Sequence, residues 1–162
     1  MRRFGAPEAS KLTVQGNLAA VYELLGRTEE ASRMCRDVYT GHVNLLGEDH
    51  VNSLMAASNY AMFLKRQAKY DEARSLLRRM IPVARRVFGV SNEVTLKMRW
   101  IYAEALYKDA NATLDDLREA VNTLEELERT ARRVLGDVHP ITEGMEDELQ
   151  DAQDALYARG LP

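Results

Sequence analysis

Apolar residues recur three and four positions apart along most of the chain, with polar residues between them. This spacing is close to the 3.6 residues of an α-helical turn and differs from the two-residue alternation of a β-strand. Two kinds of amphipathic helix alternate. The first kind carries Leu12, Leu18, Ala19 and Tyr22, then Leu54, Tyr60, Ala61 and Leu64, then Leu96, Tyr102, Ala103 and Leu106. The second kind carries Ala31, Met34, Cys35 and Val38, then Ala73, Leu76, Leu77 and Met80, then Ala120, Leu124, Leu127 and Ala131.

Each helix of the second kind is followed by a glycine, and these glycines lie at a regular interval. Gly89 lies 42 residues after Gly47, and Gly136 lies 47 residues after Gly89. Glycine adopts the left-handed conformation that ends a helix at little cost. The five extra residues of the last interval fall between Tyr107 and Leu117, where a longer turn is expected. Self-similarity with a period of this size is typical of stacked helical hairpins.

The repeated residues resemble the 42-residue tetratricopeptide repeats of kinesin light chains. That family has an Asn-Leu-Ala segment, a Tyr, a Gly-x-x-x-x-Ala turn and then Leu-Gly-x-x-His-Pro. The matching residues here are Asn17-Leu18-Ala19, Tyr22, Gly26, Ala31 and Leu46-Gly47-Glu48-Asp49-His50, with Val51 in place of Pro. The resemblance covers nearly the whole chain, although many other adapters and signalling ATPases carry arrays of this type.

The expected fold is all-α: a right-handed superhelix (α-solenoid) of about three tetratricopeptide-type hairpins with a C-terminal capping helix. We expect a single domain over residues 1–162, with repeats over residues 8–47, 50–89 and 92–136 and a capping helix over residues 140–158. The last helix has one apolar stripe and an acidic outer face, as a cap requires. Phe4 and Gly5 match the end of a helix of the second kind, so we expect an open N-terminal end that can self-associate.

The helix face opposite the apolar stripe supplies the candidate binding residues. Helices of the first kind line the concave side of a solenoid. Helical spacing gives Asn17, Asn59, Met55, Met62, Arg66, Lys97, Ile101, Glu104 and Lys108 as the candidate peptide-binding residues. An Asn side chain both donates and accepts hydrogen bonds, as a peptide backbone requires, and the methionines offer adaptable apolar contact. The alternative is that these polar residues only keep the face solvated.

The resemblance adds an expected ligand to this face. It implies that Asn17 and Asn59 hold bound peptide, whereas Ile101 departs from the family pattern in the third repeat. Kinesin light chains recognise peptides that contain Trp flanked by acidic residues. Arg66, Lys97 and Lys108 are cations compatible with such a ligand.

Composition narrows the function classes. The 162 residues are 46% hydrophobic and carry a net charge of −3, which does not favour nucleic acid as a partner. No run of 18 apolar residues is present, so no membrane span is expected. Cys35 is the only cysteine, which excludes an internal disulfide. The sequence has no zinc, phosphate-loop or nucleophile-elbow motif. We therefore expect a cytoplasmic, non-catalytic protein with neither cofactor nor metal.

Other residues carry narrower expectations. A buried, inert thiol is expected for Cys35, and a partly buried packing role is expected for His42. Trp100, the only tryptophan, either packs on a neighbouring helix or lies at the edge of the groove. Paired arginines on the helices of the second kind either attract an acidic partner or pair with nearby glutamates: Arg78-Arg79, Arg85-Arg86 and Arg132-Arg133.

The sequence therefore predicts an adapter or scaffold that binds a protein or peptide partner in its concave groove, as kinesin light chain repeats do. Two alternatives remain open. The chain is a structural block of a larger assembly, or it is the regulatory repeat array of a longer signalling protein.

Overall fold

The computed structural model describes residues 5–160, and side chains are described from residue 8 onward. This part of the chain is helical and contains no β-strand. The helices are α1 (Gly5–Leu24), α2 (Thr28–Leu46), α3 (Val51–Arg66), α4 (Tyr70–Phe88), α5 (Glu93–Tyr107), α6 (Leu114–Leu135) and α7 (Pro140–Gly160). The predicted all-α class is confirmed.

The helices stack in chain order, so that each one packs on the next. Short turns at residues 25–27 and 67–69 join α1 to α2 and α3 to α4, and a longer turn at residues 108–113 joins α5 to α6. In addition, α3 contacts α5, and α5 contacts α7. The result is an α-solenoid of three hairpins in which α7 packs against α6 at the C-terminal end.

Local sequence signals set the helix ends as predicted. Gly47, Gly89 and Gly136 follow α2, α4 and α6, and each has a φ angle of +92°. Thr113 and Asp116 form a capping box at the start of α6, in which each side chain bonds the backbone N–H of the other residue. The expectation that Gly5 ends a helix is wrong, because α1 begins at that residue; Phe4 lies outside the described residues.

Small residues let the helices approach closely. Six alanines at equivalent positions of the three hairpins are fully buried: Ala19, Ala61, Ala103, Ala31, Ala73 and Ala120. Larger apolar side chains such as Leu77 and Leu124 fill the space beside them. Burial at one site in every repeat indicates that these alanines serve close packing and not helix propensity alone.

One apolar stripe lies outside the core. Val14, Leu18, Val21 and Leu25 lie on one side of the α1 hairpin and are 66%, 40%, 47% and 66% exposed. We call these four residues the α1 stripe. The sequence pattern assigned Leu18 to the core, and the structure corrects this. The equivalent positions on α3 are covered by α2, whereas no described helix precedes α1.

Candidate functional site

A cleft of about 550 Å³ opens between α3, α5 and α7. We call it the inner cleft, because helices of the first kind form its walls. Its apolar lining residues are Met62, Leu96, Trp100, Ile101, Leu135, Ile141 and Met145, and its polar ones are Lys65, Ser91, Glu93, Lys97, Glu104, His139 and Glu148. An apolar floor with a few convergent polar groups is typical of a binding cleft.

Trp100 forms part of the wall between α5 and α7. Its indole contacts Gly144, where an added Cβ would lie 3.0 Å from the ring atom Cη2. The indole Nε1 is buried without a hydrogen-bond partner among the described residues. Trp100 therefore packs on a neighbouring helix and also lines the cleft, so both interpretations left open by the sequence apply.

A buried carboxylate organises one end of the cleft. The Glu104 side chain accepts hydrogen bonds from Lys65 Nζ at 2.6 Å and from Lys108 Nζ at 2.8 Å. Lys108 Nζ also donates to Glu148 at 3.0 Å, and the Tyr107 hydroxyl donates to the same carboxylate. We call these five residues the Glu104 network. It ties α3, α5 and α7 together at the edge of the cleft.

Burial and hydrogen bonding fix the protonation states of this network. Burial raises the pKa of the Tyr107 hydroxyl, and its bond to Glu148 raises that pKa further. Burial alone would lower the pKa of Lys108, but its bonds to Glu104 and Glu148 leave that pKa above the ordinary value. Tyr107 is therefore a neutral donor and Lys108 a cation at neutral pH.

The structure divides the predicted site residues into two groups. Met62, Lys97, Ile101 and Glu104 line the inner cleft, with Ile101 and Glu104 almost fully buried. Asn17, Asn59 and Met55 are exposed on α1 and α3 and do not line it. Arg66 and Lys108 do not line the inner cleft either.

The three predicted cations differ in their availability to a ligand. Arg66 donates to Glu23 at 2.5 Å, and Lys108 belongs to the Glu104 network. In the described part of the chain, Lys97 forms no ion pair. Of the three, Lys97 alone is unpaired in that part of the chain, and Glu93, one turn before it on α5, lines the same cleft.

Several lining residues were not predicted, because the wall of the cleft that they form depends on how α7 packs. Ile141 and Met145 reach the cleft from α7, and Leu96 belongs to the stripe that was assigned to the core. His139 accepts a hydrogen bond from the backbone N–H of Ile141 at 3.2 Å and so fixes the start of α7. The one available sequence signal was Gly144, a small residue facing the helix that carries Trp100.

The described residues show neither a metal centre nor a membrane helix. No group of three His, Cys, Asp or Glu side chains within them is placed to hold a metal ion. None of the helices of residues 5–160 is long and apolar enough to cross a bilayer.

Comparisons with known proteins agree with this architecture. A family model described as tetratricopeptide repeat matches residues 10–86. The structure is similar to that of a putative kinesin light chain from Podosopora anserina with nearly identical TPR-like repeats. Its TM-score is 0.80 at 22% identity, over 91% of this chain and 67% of that one. Residues 10–86 match tetratricopeptide repeats, and the likeness in fold extends over most of the chain.

Two further solved structures share the repeat fold. A sequence variant of the Podosopora anserina protein has a TM-score of 0.56 at 20% identity, over 94% of this chain and 89% of that one. BtubC (BKLC) from P. vanneervenii has a TM-score of 0.58 at 14% identity, over 93% of this chain and 65% of that one. No curated protein sequence matches the chain. The fold that they share is a solenoid of paired helices, an architecture that forms extended concave surfaces.

Proposed function

We propose that this tetratricopeptide array is a non-catalytic adapter that binds a peptide segment of a partner protein on its concave side. The observation that carries the proposal is the inner cleft, whose floor of Leu96, Trp100, Ile101 and Met145 suits one large apolar side chain of the ligand. Such a preformed pocket avoids the entropic cost of ordering the protein on binding.

The surroundings of the cleft suit the rest of such a peptide. Lys97 has no carboxylate partner among the described residues, so an acidic residue beside the apolar anchor would complement it. Asn59 and Asn17 are exposed on α3 and α1, where their amides are available to a peptide backbone. The proposed ligand therefore has an apolar anchor in the cleft, an acidic neighbour, and a backbone that runs towards α1.

The test is a binding measurement with a peptide selected by display against the purified chain and labelled with fluorescein. Ile141→Ala shortens a side chain of the cleft, and we expect about a tenfold loss of affinity in fluorescence anisotropy. The reason is that each buried methylene contributes about 0.8 kcal/mol. Leu45→Ala, at an exposed position outside the cleft and outside the candidate binding face, is the matched control and should bind like the wild type.

A second pair of variants tests the asparagines separately. Asn17→Ala together with Asn59→Ala should weaken peptide capture without changing the helical circular dichroism signal. An affinity that neither this pair nor Ile141→Ala changes would show that the peptide binds elsewhere on the array.

A second candidate function, a building block of a larger assembly, is supported by the α1 stripe. Positions 56, 60 and 63 of α3 and positions 98, 102 and 105 of α5 are equivalent to positions 14, 18 and 21 of the stripe. The positions on α3 and α5 are buried or half-buried against the preceding hairpin. Between Leu12 and Leu25 the single charged residue is Glu23, which Arg66 neutralises. A second copy of the chain, pairing through its own α1, would cover both stripes without bringing like charges together.

Sedimentation velocity over a concentration series tests this candidate. We expect a dimer that Leu18→Glu with Val21→Glu converts to a monomer, because those glutamates would lie in the apolar contact. Val138→Glu is the control, since Val138 is exposed in the turn before α7. A wild-type monomer at all concentrations would exclude self-association through the α1 stripe.

A further inference from the structure

A second cleft, of about 390 Å³, lies where α4, α5 and α6 meet. Its lining residues are Arg85, Val90, Arg99, Glu126, Arg129, Thr130 and Arg133. We call it the arginine cleft. It opens on a different side of α5 from the inner cleft, because Arg99 faces it whereas Trp100 and Ile101 face the inner cleft.

The charges of the arginine cleft do not balance. Four guanidinium groups line it with a single carboxylate, Glu126. Arg99, which is 8% exposed, donates to that carboxylate at 2.6 Å and neutralises it. Within residues 8–160, Arg85, Arg129 and Arg133 form no ion pair or side-chain hydrogen bond. Three cations therefore share one cleft without a counter-ion from the described chain.

Most other arginines of α4 and α6 have partners among the described residues, and Arg86 is the exception. Arg78 bonds to the hydroxyl of Tyr102, and Arg79 bonds to the hydroxyl of Tyr39 at 2.5 Å. Arg132 pairs with Glu128 and Glu146. Arg33, Lys69 and Lys97 are unpaired within residues 8–160 as well, but the clefts that they line contain two or more glutamates each.

The unpaired guanidinium groups repel one another, and a bound anion would remove this repulsion. Arg129 and Arg133 lie one turn apart on α6, where like charges repel. Arg85 and Arg133 lie in the last turns of α4 and α6, and a cation there stabilises the helix end. That role leaves the guanidinium donors free. An excess of positive charge on a concave surface raises the local concentration of anions.

We propose that the arginine cleft binds the dianionic phosphoryl group of a phosphorylated side chain on a partner protein. A phosphate monoester carries about two negative charges and three strong acceptor oxygens. It therefore satisfies several guanidinium groups together, whereas one carboxylate is filled by a single bidentate arginine. The site is separate from the inner cleft, and this proposal does not depend on peptide binding there.

The experiment uses the full chain and a fluorescein-labelled peptide that contains one phosphoserine between neutral residues. We expect saturable binding in fluorescence anisotropy. The same peptide with serine should not bind, and the peptide with glutamate should bind at least about tenfold more weakly. Arg129→Gln with Arg133→Gln should weaken the phosphopeptide at least about tenfold, since charge-assisted hydrogen bonds are lost. Arg85→Gln, on a different helix, gives an independent measurement if the double variant does not fold.

Matched controls separate the site from general charge attraction. Arg33→Gln with Arg118→Gln removes the same charge from exposed positions outside the cleft and should leave affinity unchanged. An equal loss in both double variants would overturn the proposal, and so would the absence of binding. Equal affinity for the glutamate peptide would assign the cleft to acidic segments. If inorganic phosphate displaces the phosphopeptide at a similar concentration, the arginine cleft is a site for free phosphate. Either of these two results overturns the proposal.

Discussion

The indole of Trp100 lies directly against the backbone of Gly144, with no room for a side chain between them. This contact allows α7 to approach α5, and it makes the indole a shared wall of the packed core and of the inner cleft. The width of the cleft therefore depends on a residue that has no side chain. Any atom added at position 144 must move the indole or the helix.

Gly144→Ala is predicted to displace the indole towards the cleft. The added methyl group would lie 3.0 Å from Cη2, so the ring must move by a few tenths of an ångström. The emission maximum of Trp100 should shift to the red, whereas the gain in helix propensity of about 1 kcal/mol offsets much of the lost packing energy. Gly160→Ala is the control, because a Cβ there meets nothing within 4 Å. An unchanged emission spectrum in Gly144→Ala would contradict the described contact.

Glu104→Gln is predicted to destabilise the array. The Glu104 carboxylate is buried between Lys65 and Lys108, so its loss leaves two cations without their shared partner. We expect a decrease of about 2 kcal/mol in the free energy of unfolding, measured by urea denaturation. Glu30→Gln removes an exposed carboxylate whose single ion pair among the described residues is with Arg27, and it should leave the unfolding midpoint unchanged. A Glu104→Gln midpoint equal to that of the wild type would mean that the network contributes nothing to stability.

Exchanging glycine and alanine is predicted to change the stability in opposite directions in the equivalent turns of the first two hairpins. Gly26 has a φ angle of +74°, and Ala68, 42 residues later, has a φ angle of +55°. A Cβ in this left-handed region costs about 1–2 kcal/mol. Ala68→Gly should therefore raise the free energy of unfolding by about 0.5–1 kcal/mol, after the entropy of the unfolded glycine is deducted, and Gly26→Ala should lower it by about 1 kcal/mol. Changes of the same sign in the two variants would disprove the assigned turn geometry.

His42 is predicted to make the stability depend on pH. Burial lowers the pKa of its imidazole below the ordinary value, and the nearby His50 lowers it further. The unfolded chain then binds more protons than the folded chain between the lowered pKa and about pH 6.5, so stability is lost as the pH falls through this window. His42→Ala should show a flatter profile between pH 7 and pH 5 in denaturation experiments, the greatest difference in slope being about 1.4 kcal/mol per pH unit. Parallel profiles would show that His42 is not the group responsible.

Cys35 is predicted to be unreactive in the folded protein. Burial raises the pKa of its thiol to about 12, so the nucleophilic thiolate is scarce at neutral pH. A thiol reagent added at pH 8 should label the chain at the rate of unfolding, and urea should accelerate labelling. Labelling of the native chain as fast as a free thiol in solution would contradict the buried position.

Local features of the fold were predictable from the sequence because they repeat. Gly47, Gly89 and Gly136 mark helix ends, and the capping box at Thr113 needs only residues within one turn. The buried alanines were predictable because the same position is small in every hairpin. Periodicity and capping depend on neighbours along the chain, which the sequence displays directly.

Features that join distant helices were only partly predictable. Glu104 was expected on the open face, but its carboxylate is buried between Lys65 of α3 and Lys108, which follows α5. Leu18 was expected in the core, but its burial would need a helix before α1. The distance between α7 and α5 depends on Gly144. The sequence does not show that this glycine packs against Trp100. A helical pattern gives the face of a residue but not what covers that face.

The proposed function requires a partner peptide to place an apolar side chain in the inner cleft. Because Trp100 is the only tryptophan, a ¹H–¹⁵N correlation spectrum contains one indole resonance, and that resonance reports on the cleft wall. On titration with a display-selected peptide, the indole resonance should shift and saturate with the dissociation constant measured by anisotropy. An indole resonance that stays in place while the peptide saturates the chain would contradict the claim.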